Sequence, residues 1–191
     1  MIDTRCTKQR AVFLDRDGVI NRAIVRDGKP YPPMTTDELE LMPGAPEALA
    51  RLNSAGFRLI VVTNQPDVAR GLQTRETVET LHNVLRSQLP IDDFRVCYHD
   101  DADGCTCRKP LPGLLFAAAT EHGLALPACF LVGDRWRDVE AGQRAGCISV
   151  FIDYGYEERT PQGVFARVAS LPEAVAWILS QEMSSDATHI E

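Results

Sequence analysis

Residues 11–18 read AVFLDRDG, an apolar run that passes directly into two aspartates and a glycine. The run predicts a buried β-strand, because its apolar residues follow one another without the alternation of a half-exposed strand. Comparable runs, which predict further strands, stand at residues 59–62, around Val96, at 130–132 and at 148–152. Apolar residues at helical spacing predict helices at residues 45–55, 74–89, 114–122, 136–145 and 174–179.

This alternation of strands and helices predicts an α/β fold with a doubly wound, Rossmann-like and mainly parallel sheet. Helices on both faces give three layers, α/β/α. We expect a single domain over residues 1–180 and a polar C-terminal tail over residues 181–191. Only 25 residues separate Asp17 from Pro43, too few for a separate cap domain. Residues 26–36 are rich in glycine, proline and charge, which predicts a flexible loop over the site.

The charge balance is acidic, with 27 aspartates and glutamates against 20 lysines and arginines in 191 residues and a formal net charge of −7. That charge gives no general attraction to nucleic acid or to an anionic membrane. No run reaches 18 apolar residues, and residues 1–10 lack the apolar core of a signal peptide. We expect a cytoplasmic monomer with no nucleic-acid or membrane partner, in which a local cluster of positive groups binds any anionic ligand.

Each of the first four predicted strands ends in a polar segment. The carboxyl ends of parallel strands meet at one edge of the sheet, where such sheets bind their ligands. Four polar segments at this edge therefore indicate an active site more strongly than any single polar loop does. In chain order they are Asp15-Arg16-Asp17-Gly18, Thr63-Asn64-Gln65, Arg108-Lys109 and Gly133-Asp134.

The side chains at these strand ends are suited to phosphoryl transfer. Asp15 and Asp17 would repel each other unless a cation lay between them, and Mg²⁺ prefers such oxygen ligands, with Asp134 as a third. Mg²⁺, Lys109 and the Thr63 hydroxyl would then hold the three non-bridging oxygens of a phosphoryl group. One carboxylate would remain free to attack phosphorus in line. The alternative is that the two aspartates only form a turn and a helix cap.

Three cysteines and a histidine crowd the loop after the third predicted strand. Three thiolates and an imidazole make a closed tetrahedral zinc site, which leaves no open position for catalysis. We expect Zn²⁺ to fix the conformation of this loop so that Arg108 and Lys109 point at the substrate. The alternative is a set of reduced surface cysteines beside a chance histidine. The expected zinc ligands are Cys97, His99, Cys105 and Cys107.

The other cysteines and two further histidines are expected to have no chemical role. Cys129 and Cys147 adjoin apolar strands and are predicted to lie in the core, whereas Cys6 carries no signal. His82 lies on a predicted helix and His122 beside a helix end, which favours a structural role for both.

Four motifs together resemble those of the haloacid dehalogenase superfamily of phosphatases. They are Phe13-Leu14-Asp15-Arg16-Asp17-Gly18, Thr63-Asn64-Gln65, Lys109-Pro110 and Gly133-Asp134-x-x-x-Asp138, in this order between residues 12 and 152. The resemblance implies that Asp15 is the nucleophile and forms an aspartyl-phosphate. Asp17 would protonate the leaving oxygen and then deprotonate water. Thr63 and Lys109 would stabilise the phosphoryl group, and Mg²⁺ would bind Asp15, the backbone carbonyl of Asp17, and Asp134.

The Cys/His loop that leads into Arg108 resembles a zinc-containing subclass with two sister groups. These are the D-glycero-D-manno-heptose 1,7-bisphosphate 7-phosphatases and the histidinol-phosphate phosphatases. Residues 63–65, 68–71 and 108–113 resemble the heptose group, from which Pro66-Asp67 departs, whereas the five-residue gap between His99 and Cys105 resembles the histidinol group. For Asp138 two roles stay open, orienting the metal shell or capping a helix.

The resemblance implies a Mg²⁺-dependent phosphomonoester hydrolase that acts on a small phosphorylated sugar. We expect it to remove the 7-phosphate of D-glycero-D-manno-heptose 1,7-bisphosphate, on the route to nucleotide-activated heptose. The expected substrate-binding residues are Asn64, Gln65, Arg70 and Arg108. The alternatives are histidinol phosphate or another small sugar phosphate as substrate, and a non-catalytic module that keeps a phosphate pocket. A nucleic-acid repair phosphatase fits poorly, because the chain lacks a basic, aromatic stripe.

Overall fold

The computed structural model describes residues 10–187, so Cys6 and residues 188–191 lie outside the described part of the chain. Its strands are β1 Ala11–Leu14, β2 Ile24–Arg26, β3 Lys29–Tyr31, β4 Arg58–Asn64, β5 Asp93–Cys97, β6 Phe130–Gly133, β7 Ile148–Ile152 and β8 Ala166–Val168. Its α-helices are α1 Ala45–Ser54, α2 Arg75–Gln88, α3 Gly113–His122, α4 Trp136–Ala145 and α5 Leu171–Ala187. Short 3₁₀ helices lie at Asp101–Asp103 and Leu126–Ala128.

The strand that carries the first motif, β1, lies inside a six-stranded sheet of order β5-β4-β1-β6-β7-β8. All neighbouring pairs in this sheet are parallel. The chain moves outward from β1 through β4 to β5 and then returns to the other side of β1 at β6. This reversal places the ligand crevice of such a sheet at the carboxyl end of β1. The predicted doubly wound, parallel sheet is confirmed.

Helices cover both faces of the sheet. Val12 and Leu14 of β1 face a core cluster that includes Leu49 of α1 and residues of α5. Phe13 alternates to the opposite face, where it packs in a second cluster with Leu115 of α3 and residues of α4. The three predicted layers are therefore confirmed, and β1 is buried on both sides.

Local signals set the ends of several helices. The Thr74 hydroxyl accepts a hydrogen bond from the Thr77 N–H at 3.1 Å and caps α2 as predicted. Gly123 follows α3 in the left-handed conformation, with φ 63°. The helix predicted at residues 174–179 is longer, since α5 runs from Leu171 to Ala187 and passes the predicted tail boundary at 181. Crossing a membrane would take a longer or more apolar helix than any found within residues 10–187.

The segment predicted as a flexible loop, residues 26–36, begins inside an antiparallel hairpin of β2 and β3. Asp27 and Gly28 form its turn, and both have positive φ, 49° and 69°. Asp-Gly favours such a two-residue turn because both central residues must adopt left-handed conformations. The loop prediction was therefore wrong for the first part of this segment, and the hairpin borders the site.

Candidate active site

The four predicted polar segments meet at the carboxyl edge of the sheet. β1 pairs with both β4 and β6, so their ends lie side by side. A cavity of about 250 Å³ opens at this edge. Among its lining residues are Asp15, Asp17, Thr63, Asn64, Lys109 and Asp138. Residues from different parts of the chain are thus brought to one place, as the parallel topology requires.

Lys109 lies at the base of this cavity with its side chain almost fully buried. Its ammonium lies 2.9 Å from Asp15 Oδ1 and 2.5 Å from Asp138 Oδ1, and it donates to the Val62 carbonyl at 2.8 Å. Burial alone would lower the pKa of Lys109, but the Asp138 and Asp15 charges raise it to about 12. The lysine therefore carries a fixed positive charge where a phosphoryl group would bind.

The backbone of Lys109 is held by the Asn64 side chain. Asn64 Oδ1 accepts the Lys109 N–H at 3.0 Å, and Asn64 Nδ2 donates to the Lys109 carbonyl at 3.1 Å. Asn64 borders the cavity, but both ends of its amide are used in this pairing. Asn64 therefore positions the Lys109 backbone, and its contact with substrate stays a prediction.

Three buried carboxylates surround the lysine. Each of Asp15, Asp134 and Asp138 offers an oxygen that lies within 4.8 Å of the others. Burial raises the pKa of Asp15 to about 6 although Lys109 opposes it. Burial, followed by the charges of Asp15 and Asp138, raises the pKa of Asp134 well above its usual range. One ammonium against three carboxylates leaves this cluster short of positive charge, which a divalent cation would supply.

Asp134 has the features expected of a metal ligand. Both of its carboxylate oxygens are buried, and neither accepts a hydrogen bond of good geometry from residues 10–187, although the nearby Tyr156 hydroxyl opposes the rise in its pKa. Unpaired buried oxygens are costly, and a cation that prefers oxygen ligands would satisfy them. Gly18 makes the close approach possible, since a Cβ there would lie 1.9 Å from Asp134 Oδ2 and its φ is +89°. These residues therefore fit a hard cation such as Mg²⁺.

Asp138 caps a helix, which is one of the two roles that the sequence left open. Its Oδ2 accepts the Arg135 N–H at 3.0 Å, at the start of α4. Its Oδ1 contacts Lys109, and the residue belongs to the cluster of three carboxylates. A single side chain thus caps the helix and sets the position of the lysine beside the expected metal ligands.

The Asp17 carboxylate points into a separate hydrogen-bond network. Its two oxygens accept from Arg16 Nε at 3.1 Å and Nη2 at 2.9 Å, from Asn21 Nδ2 at 2.9 Å and from Gln65 Nε2 at 2.9 Å. The Asp17 side chain is 15% exposed and lines the cavity. It is therefore both fixed and reachable by a ligand.

Gln65 lies behind the site. It is fully buried, and its Nε2 donates to Asp17 Oδ2 and to Thr63 Oγ1, each at 2.9 Å. These bonds fix the predicted acid–base residue and the predicted phosphate-binding hydroxyl relative to each other. The structure therefore assigns Gln65 to positioning, in place of the predicted contact with substrate.

The rim of the cavity is basic, but each arginine is paired. Arg70 donates to both oxygens of Asp100, at 2.8 and 2.7 Å, and lowers the pKa of that carboxyl to about 2. Arg108 Nε donates to Asp101 at 2.8 Å, and Arg137 contacts the same carboxylate at 3.1 Å. All three arginines line the cavity, so the two predicted substrate-binding arginines lie on its wall.

The Cys/His loop forms a compact tetrad. Cys97 Sγ lies 3.7 Å from Cys105 Sγ, 3.2 Å from Cys107 Sγ and 3.6 Å from His99 Nδ1. A tetrahedral site with Zn–S bonds of about 2.3 Å places its sulfur ligands about 3.8 Å apart, close to these separations. The tetrad therefore fits a tetrahedral metal ion, and its thiols are free of disulfides.

Comparison with known proteins gives the same picture. The family model of haloacid dehalogenase-like hydrolases matches residues 33–146. The chain belongs to this hydrolase family. It is 34% identical over 187 residues to the D-glycero-beta-D-manno-heptose-1,7-bisphosphate 7-phosphatase of Bordetella bronchiseptica, covering 91% of this chain and 99% of that relative. It is 37% identical over 163 residues to a D-glycero-alpha-D-manno-heptose-1,7-bisphosphate 7-phosphatase of Mycobacterium tuberculosis, covering 80% and 84% of the two chains.

Solved structures of haloacid dehalogenase-like hydrolases share the fold. The crystal structure of the B. bronchiseptica D,D-heptose 1,7-bisphosphate phosphatase, complexed with magnesium and phosphate, superposes with a TM-score of 0.78 at 30% identity. The alignment covers 91% of this chain and 99% of that structure. The Burkholderia thailandensis D,D-heptose 1,7-bisphosphate phosphatase superposes with a TM-score of 0.63 at 28% identity, covering 90% and 99%. The resemblance inferred from four motifs is therefore confirmed over nearly the whole chain.

Sequence reasoning missed several residues of this hydrolase's site. Arg16 was quoted only as part of a motif, yet its side chain is fully buried against Asp17. Asn21 and Arg137 were not singled out either, although each has a place in the site. The signal for Arg16 was present, because an arginine between two acidic site residues has a carboxylate partner within reach. The core placement predicted for Cys129 and Cys147 is confirmed.

Proposed function

We propose that this hydrolase is a phosphatase that removes the 7-phosphate of D-glycero-D-manno-heptose 1,7-bisphosphate, in the biosynthesis of nucleotide-activated heptose. The observation that carries the proposal is the buried Asp15 beside the Lys109 ammonium at the base of the cavity. Its support for the substrate is the 34% identity with a heptose bisphosphate phosphatase across 91% of the chain. The proposed partner is a small phosphorylated sugar. We also propose that the protein is a cytoplasmic monomer, whose net charge of −7 gives no attraction to anionic surfaces.

Asp15 acts as the nucleophile in the proposed reaction. Its Oδ1 is bound, since it accepts the Arg16 N–H at 2.8 Å and contacts Lys109, so we assign the attack to Oδ2. The new bond joins this oxygen to phosphorus while the bond from phosphorus to the sugar oxygen breaks. The Lys109 ammonium and the Thr63 hydroxyl hold the non-bridging oxygens during transfer.

Asp17 moves the proton in both halves of the reaction. In the first half it gives its proton to the departing sugar oxygen. In the second half a water molecule attacks phosphorus, Asp17 takes the water proton, and the bond between phosphorus and Asp15 breaks. Inorganic phosphate and the original carboxylate are restored, so one residue serves as acid and then as base.

The proposed catalytic metal is Mg²⁺, held by Asp15, Asp134 and the backbone carbonyl of Asp17. Two observations support it: the Asp134 oxygens are buried without a well-formed hydrogen bond, and the carboxylate cluster is short of positive charge. When bound, Mg²⁺ neutralises charge on the phosphoryl oxygens. Asp138 keeps Lys109 and the start of α4 in place beside these ligands.

The proposed structural metal is Zn²⁺, held by Cys97, His99, Cys105 and Cys107. Four protein ligands complete a tetrahedron and leave no open position, which gives the ion a structural role. Arg108 follows the last of these ligands, and its Nη1 donates to the His99 carbonyl at 3.3 Å. The zinc loop would thus hold Arg108 on the cavity wall, where it can bind the phosphate at the far end of a bisphosphorylated sugar.

A substrate panel tests the proposed function. We expect the heptose 1,7-bisphosphates, assayed as separate anomers, to give kcat/KM values on the order of 100-fold above that of histidinol phosphate, because the rim arginines suit a second phosphate. The five-residue gap between His99 and Cys105 makes histidinol phosphate the second candidate. A clear preference for histidinol phosphate would overturn the heptose proposal. Failure to hydrolyse any small phosphate in saturating Mg²⁺ would point to a binding module.

Metal analysis tests the proposed zinc site. Purified protein is expected to contain about one zinc per chain, as a closed four-ligand site requires. Cys107→Ser is expected to lose the zinc and to lower the thermal midpoint. Cys147→Ala removes a buried thiol outside the tetrad and is the matched control, expected to keep the metal. Zinc content that is unchanged in Cys107→Ser would contradict the ligand assignment.

A further inference from the structure

Arg16 is the largest fully buried side chain within residues 10–187, and its charge faces a single carboxylate. Its guanidinium meets Asp17 in a two-pronged contact, Nε to Oδ1 at 3.1 Å and Nη2 to Oδ2 at 2.9 Å. Two parallel bonds of this kind fix the plane of a carboxylate as well as its position. Burying the charge of Arg16 has a large desolvation cost, which distinguishes this contact from a weak, exposed ion pair.

The remaining prong of Arg16 contacts a buried histidine on α2. Arg16 Nη1 lies 3.2 Å from His82 Nε2. His82 is fully buried, and its ring stacks on Phe94 with centroids 4.5 Å apart. Burial and the nearby Arg16 charge lower the pKa of His82 to about 4, which leaves the ring neutral. A neutral ring can accept from Arg16 through Nε2, which assigns the proton to Nδ1.

The opposite side of His82 is fixed as well. His82 Nδ1 lies 3.2 Å from Glu79 Oε1, and the Tyr98 hydroxyl donates to the same oxygen at 2.5 Å. Burial opposes it, but these two donors lower the pKa of Glu79 and keep it charged. Tyr98 stands between two residues of the Cys/His tetrad. We call this run of bonds, Asp17–Arg16–His82–Glu79, the support chain.

Each nitrogen of Arg16 and each ring nitrogen of His82 has a polar partner in the support chain. Arg16 donates through all three of its nitrogens, two to Asp17 and one to His82, and His82 Nδ1–H donates to Glu79. Protonating His82 would put two donors face to face, and removing it would leave a buried Arg16 nitrogen unpaired. The orientation of the Asp17 carboxylate therefore depends on side chains that do not touch the cavity.

We propose that Arg16 and His82 are positioning residues that aim the Asp17 carboxylate at the leaving oxygen of the substrate. This inference rests on the proposed function, in which Asp17 is the proton donor. Small displacements of a catalytic group reduce its contribution sharply, by about 100-fold for roughly 1 Å. The support chain opposes such a displacement together with Asn21 and Gln65, which also donate to Asp17, and it acts at a distance from the reacting atoms.

Two substrates with different leaving groups separate positioning from a general structural role. Departure of a sugar alkoxide needs the proton from Asp17, whereas p-nitrophenolate leaves without one. The ratio kcat/KM covers the reaction only as far as leaving-group departure, so for p-nitrophenyl phosphate it is independent of that proton. Asp17 also acts as the base in the second half of the reaction, so a misplaced Asp17 lowers kcat for both substrates. For the aryl phosphate this slower second half lowers kcat and KM by the same factor, and kcat/KM stays unchanged.

Arg16→Met and His82→Leu test the proposal, with the best alkyl phosphate of the panel and p-nitrophenyl phosphate as probes. Arg16→Met is expected to lower kcat/KM for the alkyl phosphate about 100-fold and His82→Leu about 10-fold, with less than about a 3-fold change for the aryl phosphate. His82→Gln, which retains an acceptor for Arg16, is expected to restore most of the loss. Arg16→Lys keeps the positive charge but cannot form two parallel bonds to Asp17. Its two kcat/KM values are therefore expected to resemble those of Arg16→Met.

Leu85→Ala is the control, because it removes a buried apolar side chain from the same helix and leaves every hydrogen-bonding group of the support chain in place. It is expected to lower the thermal midpoint and to leave the ratio of the two kcat/KM values unchanged. Equal losses for both substrates in His82→Leu would overturn the positioning role while the proposed function stands. A wild-type protein that hydrolyses neither substrate would instead defeat the proposed function itself.

Discussion

Asp15→Asn is expected to reduce turnover by about four orders of magnitude or more while the fold stays intact. The amide has the size of the carboxylate but cannot form an acyl phosphate, and loss of a covalent nucleophile has effects of at least this size. Asp15 Oδ1 accepts the Arg16 N–H, and an amide oxygen can keep that bond. Steady-state assays on the panel measure the loss, and intact mass after quenching shows whether phosphate is bound covalently.

The same variant makes a separate prediction about stability. Asp15, Asp134 and Asp138 are three carboxylates around one ammonium, so removing one charge lowers their mutual repulsion. In Mg²⁺-free buffer the thermal midpoint of Asp15→Asn is therefore expected to equal or exceed that of the wild type. Asp37→Asn, an exposed carboxylate outside the cavity, is the matched control and should change neither property. Turnover within 10-fold of wild type would show that Asp15 is not the nucleophile.

Lys109→Met is expected to have the second-largest effect, because it removes charge from a buried site. The methionine side chain has a similar length, but Asp15 and Asp138 lose their shared cation and the Val62 carbonyl loses a donor. Breaking a buried ion pair in this way costs about 3–5 kcal/mol. The activity should also fall, by about 100- to 1,000-fold, as when one donor to the transition state is removed.

Denaturant unfolding in Mg²⁺-free buffer checks the stability change. A chelator is left out, so that it cannot remove the Zn²⁺ proposed for the Cys/His tetrad. Adding Mg²⁺ is expected to recover part of the lost free energy of unfolding, since the cation replaces some of the missing positive charge. The double variant Lys109→Met/Asp138→Asn, with one carboxylate fewer, should be more stable than Lys109→Met alone. If Lys109→Met unfolds at the wild-type midpoint, the lysine does not balance the carboxylates.

The sequence predicted the parallel sheet and the meeting of its strand ends for a physical reason. Buried parallel strands read as unbroken apolar runs, and the topology then places Asp15, Thr63 and Asp134 at one edge without further information. The tetrad was also predictable, because close spacing within one loop makes four ligand atoms neighbours in any compact conformation.

The positioning contacts that the sequence did not predict span long sequence distances. Arg16 meets His82, 66 residues away, and Asn64 meets Lys109, 45 residues away. Neither contact produces a periodic pattern in the sequence. From the sequence alone, an amide side chain at a strand end could equally well bind substrate or position another residue. The β2–β3 hairpin differs, since Asp27-Gly28 was a local turn signal that the charge and proline of its surroundings obscured.

The two hydrogen bonds between Asn64 and the Lys109 backbone divide the preceding loop into two parts. One part must keep its length, and the sequence of the other can be changed. Lys109 is anchored at its own peptide and stands two residues after Cys107, so the connection between them tolerates no change in length. Residues 100–104, between His99 and Cys105, lie outside that connection, yet Asp100 and Asp101 hold the rim arginines. Exchanging these five residues offers a route to altered substrate preference that leaves the reaction centre unchanged.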